Sequence, residues 1–434
     1  MSLLTEQLKN GVVSANLLTK ALGVSPATLM RRIRAERGSV VALGRGRATR
    51  YGLRREIRGL EPDIPVIRVD PLGKPDSGGK LVVLAADENA WLGVVFKGLP
   101  PEIADMQPSG FMGRAFPRQH GDSALPTRIE DWSNDHVLIA LARRGDDLAG
   151  NLILGDESVA RWFSTPPIGV ARGEYPHLAE AATAGEPPGS SAGGERPKFG
   201  AYVEGRHVIV KFAARGDRAA QRWQDLLNLE ALALDVLRNN AVAAVEATIL
   251  ETATHTFLEV PRFDRIGERG RRAVMSLAAA HQDPSVSWAR AAGNLEARGL
   301  LSTEDARRLR LYDAFARLIG NEDRHHNNVC LFPEHRVASE SMGAEPAHYE
   351  LAPAFDQLPM LYAPTTDGQV PERSFVPPTP SADTWEVWGE AATLAATFWR
   401  RAGEHERLSS GMKEIALGNF DALDGMPTYE LRKR

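Results

Sequence analysis

The sequence has one cysteine, Cys330, in 434 residues. That excludes an internal disulfide framework and any zinc site built from several thiolates. No apolar run approaches the roughly 20 residues that a membrane-spanning helix needs, and "MSLLTEQLKN" has neither the basic start nor the apolar centre of an export signal. A cytoplasmic protein with no membrane partner is expected. Aromatic residues are few, at 7%, and charge of neither sign dominates, with 52 Lys and Arg against 56 Asp and Glu for a formal net charge of -4. Such a balance gives no global attraction to nucleic acid, so any binding of a polyanion has to be local.

What is present is ordinary globular material, 43% hydrophobic and 25% charged, long enough for about three domains at roughly 150 residues each. The chain divides into four pieces. In residues 1–75, "VSANLLTKALGVSPATLMRRIRAER" predicts an amphipathic helix around Ala15 to Leu22, a turn at Gly23, and a second helix with Ser25 as N-cap and Pro26 in its first turn. Two short helices across a glycine turn suit a helix-turn-helix. "SVVALGRGRATRYGL" follows as a hairpin and a candidate wing. Ala27 to Arg58 holds ten arginines and two glutamates, a basic face in a slightly acidic chain. "VDPLGKPDSGG" reads as the linker that closes this piece.

Residues 80–165, with "KLVVLAA", "WLGVVF", "HVLIALA" and "LAGNLILG", read as a small, mostly β unit with one or two helices. Residues 166–275 open on a Gly, Ala, Ser and Pro-rich loop. "RHVIVKFAA" then alternates as a half-buried strand, "QRWQDLLNLEALALDVLRNN" carries a helical stripe, and "TFLEVPRFDRI" reads as a second strand. Residues 276–434 are mainly helical, with Ser302 and Asp305 in a capping pattern and further helices from Trp385 to Arg401 and Gly411 to Leu423. The fold class expected is α+β, a winged-helix-like module and a small β-rich subdomain ahead of a mixed lobe and an all-α lobe.

The chemistry concentrates in "LIGNEDRHHNNVCLF", Leu318 to Phe332. Asp323 and Asn328 are five apart, the spacing at which kinases place the aspartate that takes the hydroxyl proton and the asparagine that holds Mg2+. Phosphoryl transfer also needs a strand lysine, a helical acid to hold it, and a second metal-binding aspartate after a later strand. Lys211, Glu230 and Asp356 occur in that order. Zinc is a poor fit, because adjacent histidines lack the usual helical spacing and asparagine is a weak zinc ligand. His325 is expected to orient the loop through a hydrogen bond, with His326 as its exposed neighbour.

With "SSAGGERPKF", "HVIVKF", "LEALALDVLRNNAVAAVEATIL", "VPRFDR", "GNEDRHHNN" and "PAFDQLP" in this order, the sequence resembles the HipA family of bacterial serine/threonine kinases, the toxin half of toxin-antitoxin pairs. The resemblance implies ATP and Mg2+ as cofactors, Asp323 as catalytic base, Asn328 and Asp356 as metal ligands and Lys211 as phosphate contact. It places Val260, Arg262 and Phe263 at the adenine, Ala192, Gly193 and Gly194 in the nucleotide-binding loop, and Ser190 or Ser191 as an autophosphorylated serine. The family's Ala-Gly-x-Gln-x-Lys is altered here, since Lys198 is displaced behind Pro197, and Arg196 with backbone N–H groups is the expected substitute grip. An antitoxin and a protein substrate, an aminoacyl-tRNA synthetase in the family, are the implied partners.

The N-terminal piece is similar to that of longer family members carrying their own helix-turn-helix. DNA is its expected partner, through Thr28, Arg31, Arg32 and Arg34 on the second helix and Arg45 and Arg47 on the wing. Two functions remain open at this point. One is an active protein kinase fused to a DNA-binding domain; the other is a DNA-binding regulator whose kinase-like part only senses nucleotide.

Overall fold

The computed structural model describes residues 2–121, 124–184, 196–334 and 346–424. Each of the first three helices, Leu3–Leu8, Ala15–Leu22 and Pro26–Ala35, starts at a serine, Ser2, Ser14 or Ser25, whose side chain accepts a backbone N–H of the first turn. Gly23, at φ 64°, ends the second helix and turns the chain into the third. Leu4, Leu8, Leu18, Leu29 and Ile33 pack with Val40 and Tyr51 of a three-stranded sheet in the order Val13–Ser14, Arg50–Leu53, Val40–Leu43. This is a winged-helix-like module whose hairpin carries Arg45 and Arg47 at its tip.

The stretch read as a linker at residues 69–79 is instead the turn of a β-hairpin, residues 70–74, with the start of its second strand. Strands Asp63–Val69 and Pro75–Leu84 pair antiparallel on either side of it, so a boundary at 75 falls inside the second unit. Asp70 Oδ1 accepts the amides of Leu72 at 2.9 Å and Lys74 at 2.7 Å, and Gly73 takes a φ of 77°. Asp, Pro and Gly serve tight turns and linkers alike, which is why composition did not separate them.

Those two strands belong to a five-stranded antiparallel sheet in the order Val94–Lys97, Glu88–Trp91, Pro75–Leu84, Asp63–Val69, Leu152–Leu154. "HVLIALA" lies in the helix Asn134–Arg144. Ser133 and His136 cap it reciprocally, and Val137 through Ala142 are all buried. A helix enclosed on every side has no polar face, so its apolar run carries no period to read.

The winged module is seated on this unit. Arg55 grips Asp135 through two bonds of 2.6 and 2.7 Å, Glu88 accepts the Val12 amide at 2.7 Å, and Leu43 packs with Leu84 and Ala90. The Asp105 carboxylate accepts the Ser276 amide at 2.6 Å, tying the same unit to the last lobe.

The mixed lobe is a four-stranded antiparallel sheet ordered Thr248–Glu251, His255–Pro261, Arg206–Ala214, Lys198–Val203, with the helix Arg218–Asn239 against it. In the final lobe the helices Trp288–Ala297, Thr303–Leu318, Trp388–Glu404 and Ser410–Asp424 share one core with that helix. A three-stranded sheet, Met275–Ser276, Cys330–Glu334, His348–Leu351, edges the cleft. No helix among the described residues is long and apolar enough to cross a membrane.

Candidate active site

Strand alternation decides where Lys211 points. Val208, Val210 and Phe212 fill an apolar cluster with Tyr175 and Phe257, so Lys211 takes the opposite face, toward the helix Arg218–Asn239. There its Nζ donates to Glu230 Oε1 at 2.7 Å and Oε2 at 2.8 Å, and it also donates to Asp356 Oδ1. Glu230 is fully enclosed, whereas Asp356 stands nearer the opening, with side-chain exposures of 1% and 23%.

The electrostatics follow from that difference. Burial pushes the Glu230 carboxyl up despite Lys211. Burial would raise Asp356 as well, but Lys211 and then Lys198 outweigh it and hold the group below the usual carboxylate range. Burial would lower Lys211, and the two carboxylates overcome it to keep the ammonium charged. Asp356 is therefore the carboxylate held ionised nearer the surface, beside the enclosed Glu230. Its φ of 56° lies in the left-handed region, a strained position for a residue with a Cβ.

The loop bearing Asp323 begins where the helix Thr303–Leu318 ends, and its turn is stitched from within. Asn328 Nδ2 donates to the Asp323 carbonyl at 2.8 Å, and the Asn328 amide donates to the His325 carbonyl at 3.0 Å. Arg324 reaches back to the buried Asp313 at 3.4 Å. The histidine roles are reversed from the sequence reading. His325 is half exposed, with Nε2 at 3.6 Å from Asp323 Oδ1, beyond hydrogen-bond reach. His326 is buried, and its ring nitrogen pairs with the Val286 carbonyl at 2.9 Å, so it anchors the loop.

Sequence reasoning overlooked Asn321. It is wholly buried, accepts the Asp323 amide on Oδ1 at 2.9 Å, and donates from Nδ2 to the Asp356 carbonyl at 3.4 Å. An asparagine two residues before an aspartate at a helix end is the Asx-turn signal that pointed to it.

Around Val260 to Phe263, the segment expected at the adenine, the arrangement is mixed. Val260 pairs with Ile209, and the Phe263 ring lies against Phe332 and Phe355 at centroid distances of 5.7 and 5.6 Å. Arg262 departs from the expected adenine contact. Its guanidinium turns to Asp264 at 3.0 Å and to Asp147 at 3.1 Å, where Arg265 joins it. Those bonds fasten the β-rich unit to the strand end. Arg196 is equally committed, lying 3.9 Å over the Trp223 ring and donating to the Phe212 carbonyl at 2.9 Å. Burial lowers its pKa to about 9. Ser190, Ser191, Ala192, Gly193 and Gly194 lie outside the described residues.

The donor chemistry fits Mg2+. Asn328 spends its amide N–H on the loop, leaving an oxygen as its ligating end, and Asp356 is held ionised. Mg2+ is ordinarily bound by one or two such oxygens together with phosphates and waters rather than by an all-protein cage. Among the described residues, no group of three or more His, Cys, Asp or Glu forms a metal cluster.

In the winged module Arg31, Arg34 and Arg45 are exposed, while Thr28 and Arg32 are half-buried and Arg47 falls in the short turn Gly46–Ala48. The Ser25 hydroxyl donates to that of Thr28 at 3.1 Å, so Thr28 belongs to the helix cap. Arg54 and Arg55 of the same basic run are bound instead to Asp63 and Asp135.

Fold and site together define a two-lobed, kinase-like protein with two additional units at its N-terminal end. A model described as "HipA-like C-terminal domain" matches residues 190–415, and one described as "YjjJ-like toxin, middle domain" matches residues 60–163. The chain is 34% identical over 441 residues to Toxin YjjJ of Escherichia coli K12, covering 96% of both proteins. It belongs to the HipA family of toxin kinases. Among solved structures, HipA in the Shewanella oneidensis MR-1 complex of HipA, HipB and operator DNA superposes with a TM-score of 0.51. At 15% identity over 83% of this chain and 93% of that one, the match shows a shared fold.

Proposed function

We propose that the protein is an ATP- and Mg2+-dependent serine/threonine protein kinase of the HipA toxin type that carries its own DNA-binding domain. The observation that carries this reading is the Lys211 ammonium shared between Glu230 and Asp356, with Asn321 joining Asp356 to the Asp323 loop. A buried lysine held by a helical glutamate beside a metal-ligand aspartate is an arrangement suited to nucleotide phosphates.

Asn328 and Asp356 would hold Mg2+, which supplies positive charge against the phosphate oxygens. Lys211 adds its own charge at the α- and β-phosphates. The carboxylate of Asp323 takes the proton of the acceptor hydroxyl. That hydroxyl oxygen forms a bond to the γ-phosphorus as the bond to the β,γ-bridging oxygen breaks, and ADP leaves with the electron pair. Val260 and Phe263 supply an apolar wall for the base. Ser190 or Ser191, with Ala192, Gly193 and Gly194 beside them, is the autophosphorylation site in this reading.

The winged module binds DNA through a helix-turn-helix. Arg31 and Arg34 face the groove, with Arg32, Thr28, Arg45 and Arg47 around them. An antitoxin and an aminoacyl-tRNA synthetase are the partner classes that family membership suggests, and the Shewanella relative is seen with HipB and operator DNA. The test is transfer of labelled γ-phosphate in the presence of Mg2+. Wild-type protein should label itself and Asp323→Ala should not; label retained by that variant, with contaminating kinases excluded, overturns the assignment.

A further inference from the structure

We infer that Asn321 is the positioning residue that sets the metal site, by holding the Asp323 loop and the Asp356 loop in register through one side chain. This rests on the roles given above to Asp323, Asn328 and Asp356. Asn321 follows the helix Thr303–Leu318, and its own amide closes that helix on the Ala316 carbonyl at 2.8 Å. Its backbone carbonyl accepts from Arg324. Main chain and side chain are thus both engaged, and the residue is entirely buried.

The two ends of the amide do different work. Oδ1 takes the Asp323 amide at 2.9 Å and shapes the turn that presents the base. Nδ2 points at the Asp356 carbonyl at 3.4 Å, where the backbone sits at a φ of 56°. A donor there favours the peptide orientation that this strained residue needs in order to aim its carboxylate into the cleft. Aspartate would keep the acceptor and replace the donor by an oxygen facing an oxygen. Alanine would remove both. Only asparagine, with one acceptor and one donor on a short stem, serves the two loops at once.

The test uses the full chain and calorimetric binding of ATP, in EDTA and across a Mg2+ titration, so that turnover is not the readout. Wild-type protein should bind ATP more tightly as Mg2+ rises. Asn321→Asp should bind ATP in EDTA as wild type does, while its half-saturating Mg2+ rises about tenfold, the usual size of an effect one shell out from a metal. Asn321→Ala should show the same Mg2+ shift and also lose hydrogen-exchange protection at the Asp323 amide. A folded variant with the wild-type Mg2+ requirement overturns the inference, as does loss of folding in both variants, which would make Asn321 a purely structural residue. Wild-type protein whose ATP binding ignores Mg2+ would instead overturn the kinase reading on which the inference rests.

Discussion

Lys211 and Asp356 stand 145 residues apart in the chain and form an ion pair across the cleft, on the same ammonium that Glu230 holds from beneath. One ammonium is therefore shared by two carboxylates, and the three groups together keep one uncompensated negative charge when both carboxyls are ionised.

Removing the cation should cost more than removing the pair. Lys211→Met leaves two carboxylates facing each other in a buried site and is expected to lower unfolding stability by about 3–5 kcal/mol. The double variant Lys211→Met with Glu230→Leu should recover part of that loss. Urea denaturation of the two singles and the double forms a mutant cycle, and simple additivity of the losses would contradict the shared-charge account.

Backbone strain at Asp356 gives a separate signature. With φ at 56°, glycine is tolerated there and alanine is not. Asp356→Gly and Asp356→Ala should both lose phosphoryl transfer, yet the glycine variant should be the more stable by about 1 kcal/mol. Equal melting temperatures would mean that the left-handed conformation is not maintained.

Asp264 predicts an acid limb of stability. Burial would raise this carboxyl, but Arg262 and Arg265 hold it well below the ordinary range. The folded protein therefore keeps this group ionised at pH values where the unfolded chain takes up a proton. Its contribution is present above about pH 4, the unfolded carboxylate value, and is lost as pH falls further toward the depressed folded value. Asp264→Asn should be destabilised at neutral pH, and its deficit against wild type should shrink as pH falls below 4. A deficit constant with pH would show that the carboxylate charge is not what Arg262 and Arg265 require.

For the winged module the measurement is salt dependence. Arg31→Ala and Arg34→Ala should each weaken DNA binding across sequences and reduce the slope of log affinity against log salt by about 1. Point variants are the right tool, because removing residues 1–70 would also take away the strand Asp63–Val69 of the neighbouring sheet. An unchanged slope in both variants would move the contact surface elsewhere.

Local signals were legible wherever one element faced one environment. Ser25 and Pro26 announce the helix that follows them, and the alternation around Lys211 marks a strand with a polar and an apolar face. What escaped was long-range pairing. Asn321 meets Asp356 at a separation of 35 residues, and Arg262 meets Asp147 at 115, distances over which no local periodicity operates. The family resemblance implies an adenine contact for the whole segment Val260 to Phe263, whereas a strand end can send adjacent side chains to opposite sides, and Arg262 goes to Asp147 and Asp264. The basic run at residues 27–58 was likewise read as one face, although Arg54 and Arg55 are consumed by internal docking.

The buried helix Asn134–Arg144 has its first turn at Asp135, gripped by Arg55 of the winged module. Beyond its last turn the chain runs into Asp147, which meets Arg262 and Arg265 at the end of the strand His255–Pro261. Its 11 residues span about 16 Å, and Leu138 and Leu141 along it have no exposure at all. Mechanically this is a strut with one foot on the winged module and the other on the mixed lobe. Its length sets the spacing between them, so a bend or register slip here would tilt both ends at once.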